Sequence, residues 1–496
     1  MGGFLASSIG AMCAAALVLP LAPPAVAGTN GSAPRSAGGG ASAIGGAAPV
    51  PTAPYVPGST QSLPLQPLAR DRAPGAAVQG LPRRDVRQFS LVGVVWDDPE
   101  RELHGTVQVR TRTTGTGTWS DWQDLQTHNA EHAADPGTAE RTSDRVRGAT
   151  APLWVGASDG VEVRVRAETD LAARSRATTA PLPAGLRLEL VDPGDGDPPP
   201  ADAPTDAPTD ASADDAADAS ADAPVGGAPG GPRTGTLSAG PAEAVAASAV
   251  NADLAPLGAT EIPELNRAQT ESELITLGVD ALTGQPPVQQ QKVKPYIGPR
   301  PGIVTRLGWG ADERLREKRF VYTKKVKAAF VHHTATGNNY SCTQAPSVIR
   351  GIYRYHVSSM GWRDIGYNFL VDKCGKIYEG RAGGVARPVM GAHTLGFNTN
   401  SMGIAVLGTH TSKKPSSKAL KGIARLTAWK LGLFGMNPRA KTYLKSGGGN
   451  LYQKGRNVRL NVISGHRDGF ATECPGRRLY GKLGTARSTA ASYQGR

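Results

Sequence analysis

Cysteine and aromatic residues are scarce in this 496-residue chain: it has four Cys, and Phe, Trp and Tyr together make up 5%. That rules out a disulfide-dense scaffold. With 62 Gly and 39 Pro as well, uniform globular packing over the whole length is excluded. Two folded units joined by unstructured segments are expected instead. Long apolar runs are also missing. None reaches the roughly 20 residues of a membrane-spanning helix, so no transmembrane segment is expected.

What apolar run there is lies at the start. Residues 1–27 read as a signal peptide: an Ala/Leu-rich stretch from Ala11 to Leu21, then Ala25-Val26-Ala27 as a small-x-small cleavage signal, although the leading MGGFLASSIG lacks Lys and Arg. The mature protein is therefore expected to be secreted. Acidic side chains are scarce in the second part of the chain. Residues 301–496 hold 33 Lys+Arg against 8 Asp+Glu, a net of +25, while the rest sums to −12. Such a field selects a polyanion. For an exported protein, anionic cell-wall polymers fit better than nucleic acid.

Five regions follow along the chain. After the leader, residues 28–85 are Ala/Gly/Pro-rich and expected to be disordered. Residues 86–193 alternate apolar and polar positions, as in "FSLVGVVW" and "GVEVRVRAE", and predict a small all-β sandwich domain. Trp119 and Trp122 within it are read as core anchors rather than a sugar-stacking platform. Residues 194–300 are an Asp/Ala/Pro-rich disordered linker with nine Asp and no Lys or Arg between Pro193 and Val225; "TESELITLGVDAL" predicts a short helix inside it. In residues 301–496 strand and helix patterns interleave, which predicts an α/β or α+β unit.

Two histidines, His332 and His333, end the strand pattern "VKAAFVHH". Neighbouring residues of a strand face opposite ways, so one of them addresses a site and the other packs elsewhere. Far downstream, "SGHRDGFATECPG" supplies His466 and Cys474. Two imidazoles and a thiolate would give Zn2+ three protein ligands and leave a fourth position open, the arrangement of catalytic zinc. No fourth ligand is evident, which argues against a closed structural site. Three pairings are formally open for Cys342, Cys374 and Cys474.

The segments "VHHTATG", "YHVSSMGWRDIGYNFLVDKCGKIYEGR", "MGAHTLGFNTNSMGIAVLG" and "GHRDGFATECPG" make this region resemble the peptidoglycan recognition protein and type-2 N-acetylmuramoyl-L-alanine amidase superfamily. The resemblance implies an α/β zinc amidase fold, a mixed central sheet with flanking helices. It implies zinc ligands at His332, His466 and Cys474, with catalytic roles for Tyr367 and Thr472. Phage members carry lysine where Thr472 stands, so which group is general base stays open. His356, Gly361, Trp362, Arg381 and His393 match positions lining or supporting the substrate groove. Gly361-Trp362 resembles members that prefer diaminopimelate-type stem peptides. Because the metal claims Cys474, the resemblance also implies a Cys342–Cys374 disulfide. The expected activity is hydrolysis of the amide between N-acetylmuramic acid and L-alanine in peptidoglycan. The rival is a non-catalytic peptidoglycan-binding protein of the same fold, in which the cysteine ligand is commonly replaced.

Overall fold

The computed structural model describes residues 58–68, 78–170, 178–179, 181–194, 242–284 and 296–496. The predicted leader lies outside them, as does the Asp-rich stretch after 194. Among the described residues no helix is long and apolar enough to cross a membrane.

The N-terminal unit is all-β. Strands β1 (Ser59–Pro64), β2 (Val78–Trp96), β3 (Gly105–Thr113), β4 (Gln123–Leu125), β5 (Leu153–Ala167) and β6 (Arg187–Asp192) run in the order β1-β6-β2-β5-β3-β4, with two short strands added to β2. They form one eight-stranded sheet. Register shifts between β2 and β5 bend these long strands, so that Phe89, Val92, Val109, Val163 and Leu190 gather into a single core. The unit starts earlier than predicted, because β1 and the first part of β2 fall in residues assigned to a disordered segment. β1 is held by pairing with β6 some 130 residues away, a contact that local composition cannot announce.

Neither tryptophan is a core anchor, contrary to expectation. Trp119 and Trp122 are half-buried and lie under arginines, with Arg83 4.9 Å from the Trp119 ring and Arg164 4.1 Å from the Trp122 ring. Cation–π contact settles these rings on the surface.

The predicted linker is partly folded. Helices α1 (Ala242–Ala249), α2 (Arg267–Leu277) and α3 (Val279–Thr283) lie in it. Asn266 and Gln269 cap α2 reciprocally. Leu254, Ala259, Ile262, Leu274 and Leu282 from this stretch enter the core of the C-terminal unit.

That unit is a mixed seven-stranded sheet. Its strands are β7 (Glu261–Ile262), β8 (Ile303–Val304), β9 (Ala328–His333), β10 (Phe369–Val371), β11 (Ile377–Glu379), β12 (Ser401–Val406) and, beyond a separate hairpin of β13 (Lys441–Lys445) and β14 (Asn457–Asn461), β15 (Ile463–Gly465). The order is β7-β8-β11-β10-β12-β9-β15, with β10, β12, β9 and β15 parallel. Both faces are covered, as parallel strands require. Helices α5 (Ser417–Leu433) and α6 (Leu483–Tyr493) pack on one face against Phe369, Met402, Ile404 and Val331. Helix α4 (Ala345–Arg354), opened by Pro346 in its first turn, packs on the other through Val348, Ile349 and Ile352.

The far side of α4 meets the β-unit. Leu91, Val95, Trp154 and Val191 join α4 in one continuous apolar cluster, and Tyr355 donates to the Thr150 carbonyl at 3.1 Å. The two units therefore share a core.

The hairpin joining β10 to β11 turns at Asp372, whose Oδ1 accepts from the Cys374 and Lys376 amides at 2.9 Å each, and Gly375 supplies the positive φ of 84°. Cys374 in this turn bridges to Cys342, as the resemblance implies. The bond spans 32 residues. Replacing both cysteines by serine should cost about 3 to 4 kcal/mol by the loop-entropy relation, read as a lower urea midpoint; an unchanged midpoint would contradict it.

Candidate functional site

The site sits at the carboxyl ends of β9 and β15, where open α/β sheets place their ligands. His332 shares its strand face with Phe330, and His333 with Val331. The doublet is thereby split. His332 Nδ1 lies 3.8 Å from Cys474 Sγ, whereas His333 Nδ1 accepts the His410 amide at 3.1 Å. His466 opens the turn directly after β15, and the chain returns within eight residues to bring Cys474 beside it.

The other nitrogen of His332, Nε2, meets His393 Nδ1 at 3.3 Å. His393 is thus a buried support behind His332. His356 occupies a wide helical turn, Tyr355–Ser359, where Nδ1 accepts the Gly366 amide at 3.2 Å and the ring lies 4.5 Å from that of Trp362. Tyr367 is buried with its ring 5.5 Å from His332. Thr472 Oγ1 accepts from the Cys474 amide at 3.1 Å.

The fourth member of the cluster comes from the other unit. His132, on the segment between β4 and β5, places Nε2 3.2 Å from His466 Nδ1. One ligand atom from each of His132, His332, His466 and Cys474 lies within 4.8 Å of the others, and all four residues are buried. The sequence reading found no fourth ligand, so this is a correction. Tetrahedral zinc with bonds of about 2.0 to 2.3 Å has edges of about 3.4 Å between nitrogens and about 3.6 Å between nitrogen and sulfur. The 3.2 and 3.8 Å separations match that size. The outward nitrogens of these two rings, His132 Nδ1 and His466 Nε2, are buried without a hydrogen-bond partner, so the fit rests on the donor set and its spacing. The residues present fit a metal ion.

More of the same segment reaches the groove residues. Glu131 accepts from Thr472 Oγ1 at 2.6 Å, and its carbonyl accepts the Leu395 amide at 2.9 Å. Asp135 accepts from the Gly396 amide and from Asn398 Nδ2. Glu140 takes both ends of the Arg381 guanidinium, at 2.7 and 2.8 Å, and the Arg363 amide. Arg381 thereby forms its ion pair with neither Glu379 nor Asp364, although its Nη2 donates to the Asp364 carbonyl at 3.3 Å. Although burial pulls the other way, Arg381 holds the Glu140 carboxyl below the usual carboxylate range. Gly361 has φ 75°, and a Cβ there would sit 2.0 Å from the Arg145 carbonyl. One sequence signal for these contacts existed: residues 126–147 form a long stretch without strand pattern inside an all-β unit, and loops of that length are usually functional.

Burial dominates the electrostatics. It holds the imidazoles of His333, His356 and His393 down to about 3, and lowers those of His332 and His466. It pushes the Cys474 thiol well up. Neutral imidazoles suit a metal, and a bound cation is what makes such a thiol ionise. An unfolded chain protonates these rings below about pH 6.5, whereas the folded one does not. The metal-free protein therefore loses stability as pH falls below about 6.5, by up to about 1.4 kcal/mol per pH unit for each ring. Urea midpoints should fall steadily from neutrality to about pH 5; a flat profile would contradict this.

Both units match known families. The family described as N-acetylmuramoyl-L-alanine amidase matches residues 322–477, and that described as Rv3811 N-terminal galactose-binding domain-like matches 49–184. Peptidoglycan-recognition protein SC2 of Drosophila simulans is 33% identical over 185 residues, covering 37% of this chain and 85% of that protein. The N-acetylmuramoyl-L-alanine amidase of Homo sapiens is 30% identical over 191 residues, 37% of this chain and 28% of its own length. A solved structure, wild-type Drosophila PGRP-LB, matches at 27% identity over 37% of this chain and 92% of that one, with a TM-score of 0.29. Through its C-terminal unit, the chain belongs to the peptidoglycan recognition protein and N-acetylmuramoyl-L-alanine amidase superfamily.

Proposed function

We propose that the protein is a secreted, zinc-dependent amidase that cuts the bond between N-acetylmuramic acid and L-alanine in peptidoglycan, with cell-wall polymers as its surroundings. The observation that carries this reading is the convergence of His332, His466 and Cys474 from separate parts of the fold into one buried cluster. Binding-only members commonly replace this cysteine, and here Cys474 is present and faces His332.

The roles divide as follows. His332, His466 and Cys474 hold the metal, and the hydrogen bond between His332 Nε2 and His393 fixes the His332 tautomer. Bound zinc supplies a Lewis acid and an acidified water at neutral pH. Tyr367, whose phenol burial keeps protonated, can donate to the oxygen of the attacked carbonyl as negative charge grows there. Thr472, whose hydroxyl now donates to Glu131, offers a second hydroxyl once that carboxylate is displaced. Arg381 is a buried cation suited to a stem-peptide carboxylate, with Gly361 and Trp362 shaping the wall beside it. A diaminopimelate stem carries one carboxylate more than a lysine stem, which favours the former as substrate.

The test incubates zinc-loaded protein with a disaccharide muropeptide and weighs the products. A free stem beginning at L-alanine supports the reading. Muropeptide that is bound but left whole, by a variant lacking the His132 and Glu140 side-chain contacts as well as by wild type, would favour the recognition-only alternative.

A further inference from the structure

Arg141, Arg145 and Arg147 of residues 127–147 make exposed ion pairs, but the segment's buried polar groups converge on the site. They end on the metal cluster (His132), on Thr472 (Glu131), on Arg381 and the Arg363 amide (Glu140), and on the backbone beside Gly361, where the Arg147 amide donates to the Met360 carbonyl at 3.1 Å. These are the positions through which the amidase reading has substrate held and cut. The chemistry also matches an anionic stem peptide. Glu131, Asp135 and Glu140 are all buried carboxylates, carried into the strongly basic unit. His132 adds a neutral imidazole where a catalytic site keeps its open position.

We propose that this segment is a resident occupant of the amidase groove: His132 takes the fourth ligand position and Glu140 takes the place of a stem carboxylate on Arg381, so the chain is latent until the segment is displaced. The proposal rests on the amidase reading for its consequence, though not for its geometry. Being tethered, the segment competes at an effective concentration on the order of millimolar or above. A muropeptide then meets a competent groove only in the fraction of molecules whose segment is out, and its apparent affinity falls by that fraction.

The test uses the full chain as wild type, H132A, E140Q and the double variant, each zinc-loaded. Glutamine at 140 keeps the shape of the segment but removes its charge and one of the two acceptors for Arg381, so a urea midpoint for each variant separates displacement of the segment from a folding defect. H132A should lose zinc to a chelator about tenfold more readily or more. The visible spectrum of its cobalt-substituted form should change as a protein ligand is lost. At saturating zinc the double variant should bind a diaminopimelate-type muropeptide about tenfold more tightly than wild type, and should release stem correspondingly faster. Zinc retention equal in H132A and wild type, or muropeptide affinity no tighter in the double variant, overturns the proposal. Should no variant release stem, the amidase reading fails by itself, and zinc retention and muropeptide affinity still decide whether the segment occupies the groove.

Discussion

Replacing His332 by alanine should abolish zinc binding at micromolar metal and with it stem release, whereas replacing the adjacent His333 should leave both in place and lower stability. The geometry behind this asymmetry is the alternation of a strand: His332 faces Cys474 and His466, and His333 faces the His410 amide. Loss of an outer hydrogen-bonding partner of a metal ligand costs about 10 to 100-fold in affinity. Loss of the ligand itself should cost more than that, so a zinc content near zero is expected after dialysis. For His333 the loss is one hydrogen bond and a small cavity, about 1 to 3 kcal/mol. Metal analysis together with a urea titration of the two variants separates the cases. Equal zinc loss in both would contradict the assignment.

The second large effect is on the fold. Arg306 is fully buried and pairs with Glu313 at 2.6 Å and Asp364 at 3.1 Å, while its guanidinium lies 5.2 Å from the Trp309 ring. Burial alone would favour a neutral group, yet Asp364 and Glu313 hold this guanidinium firmly charged. Its backbone amide and the Asn251 side chain both bind Glu379, whose carboxyl burial raises to about 7. This knot ties the 242–260 stretch and the loop after β8 to the strand that precedes Arg381. Replacing Arg306 by methionine strands the buried Asp364 carboxylate, while Glu313 keeps its pair with Arg316, and should cost about 3 to 5 kcal/mol. Adding D364N to that variant should recover much of the loss, because the uncompensated charge is then gone. A single variant within about 1 kcal/mol of wild type would show that the network carries little.

Much of the C-terminal unit was legible because its signals are local. The strand ending in the doublet, the helix begun at Pro346, the Asp372 turn and the Gly465-His466 segment all stand where their patterns place them. The Cys342–Cys374 pairing came through the resemblance. What stayed hidden is non-local. β1 has strand character only in company with β6, and α2 buries just Thr270 and Leu274 of its eleven residues, too faint a stripe to mark a packed helix. Trp119 and Trp122 misled because arginines, rather than apolar neighbours, cover them. His132 was invisible as a ligand for a geometric reason. It lies 200 residues from His332, on an irregular segment of another unit, and no spacing rule connects the two.

The central claim is best tested by zinc titration of chelator-stripped protein while free stem peptide is counted by mass spectrometry. The account requires release to be absent without metal and to rise to a plateau at one zinc per chain. Release that survives the chelator, or none at full zinc occupancy in the H132A/E140Q double variant, would contradict it.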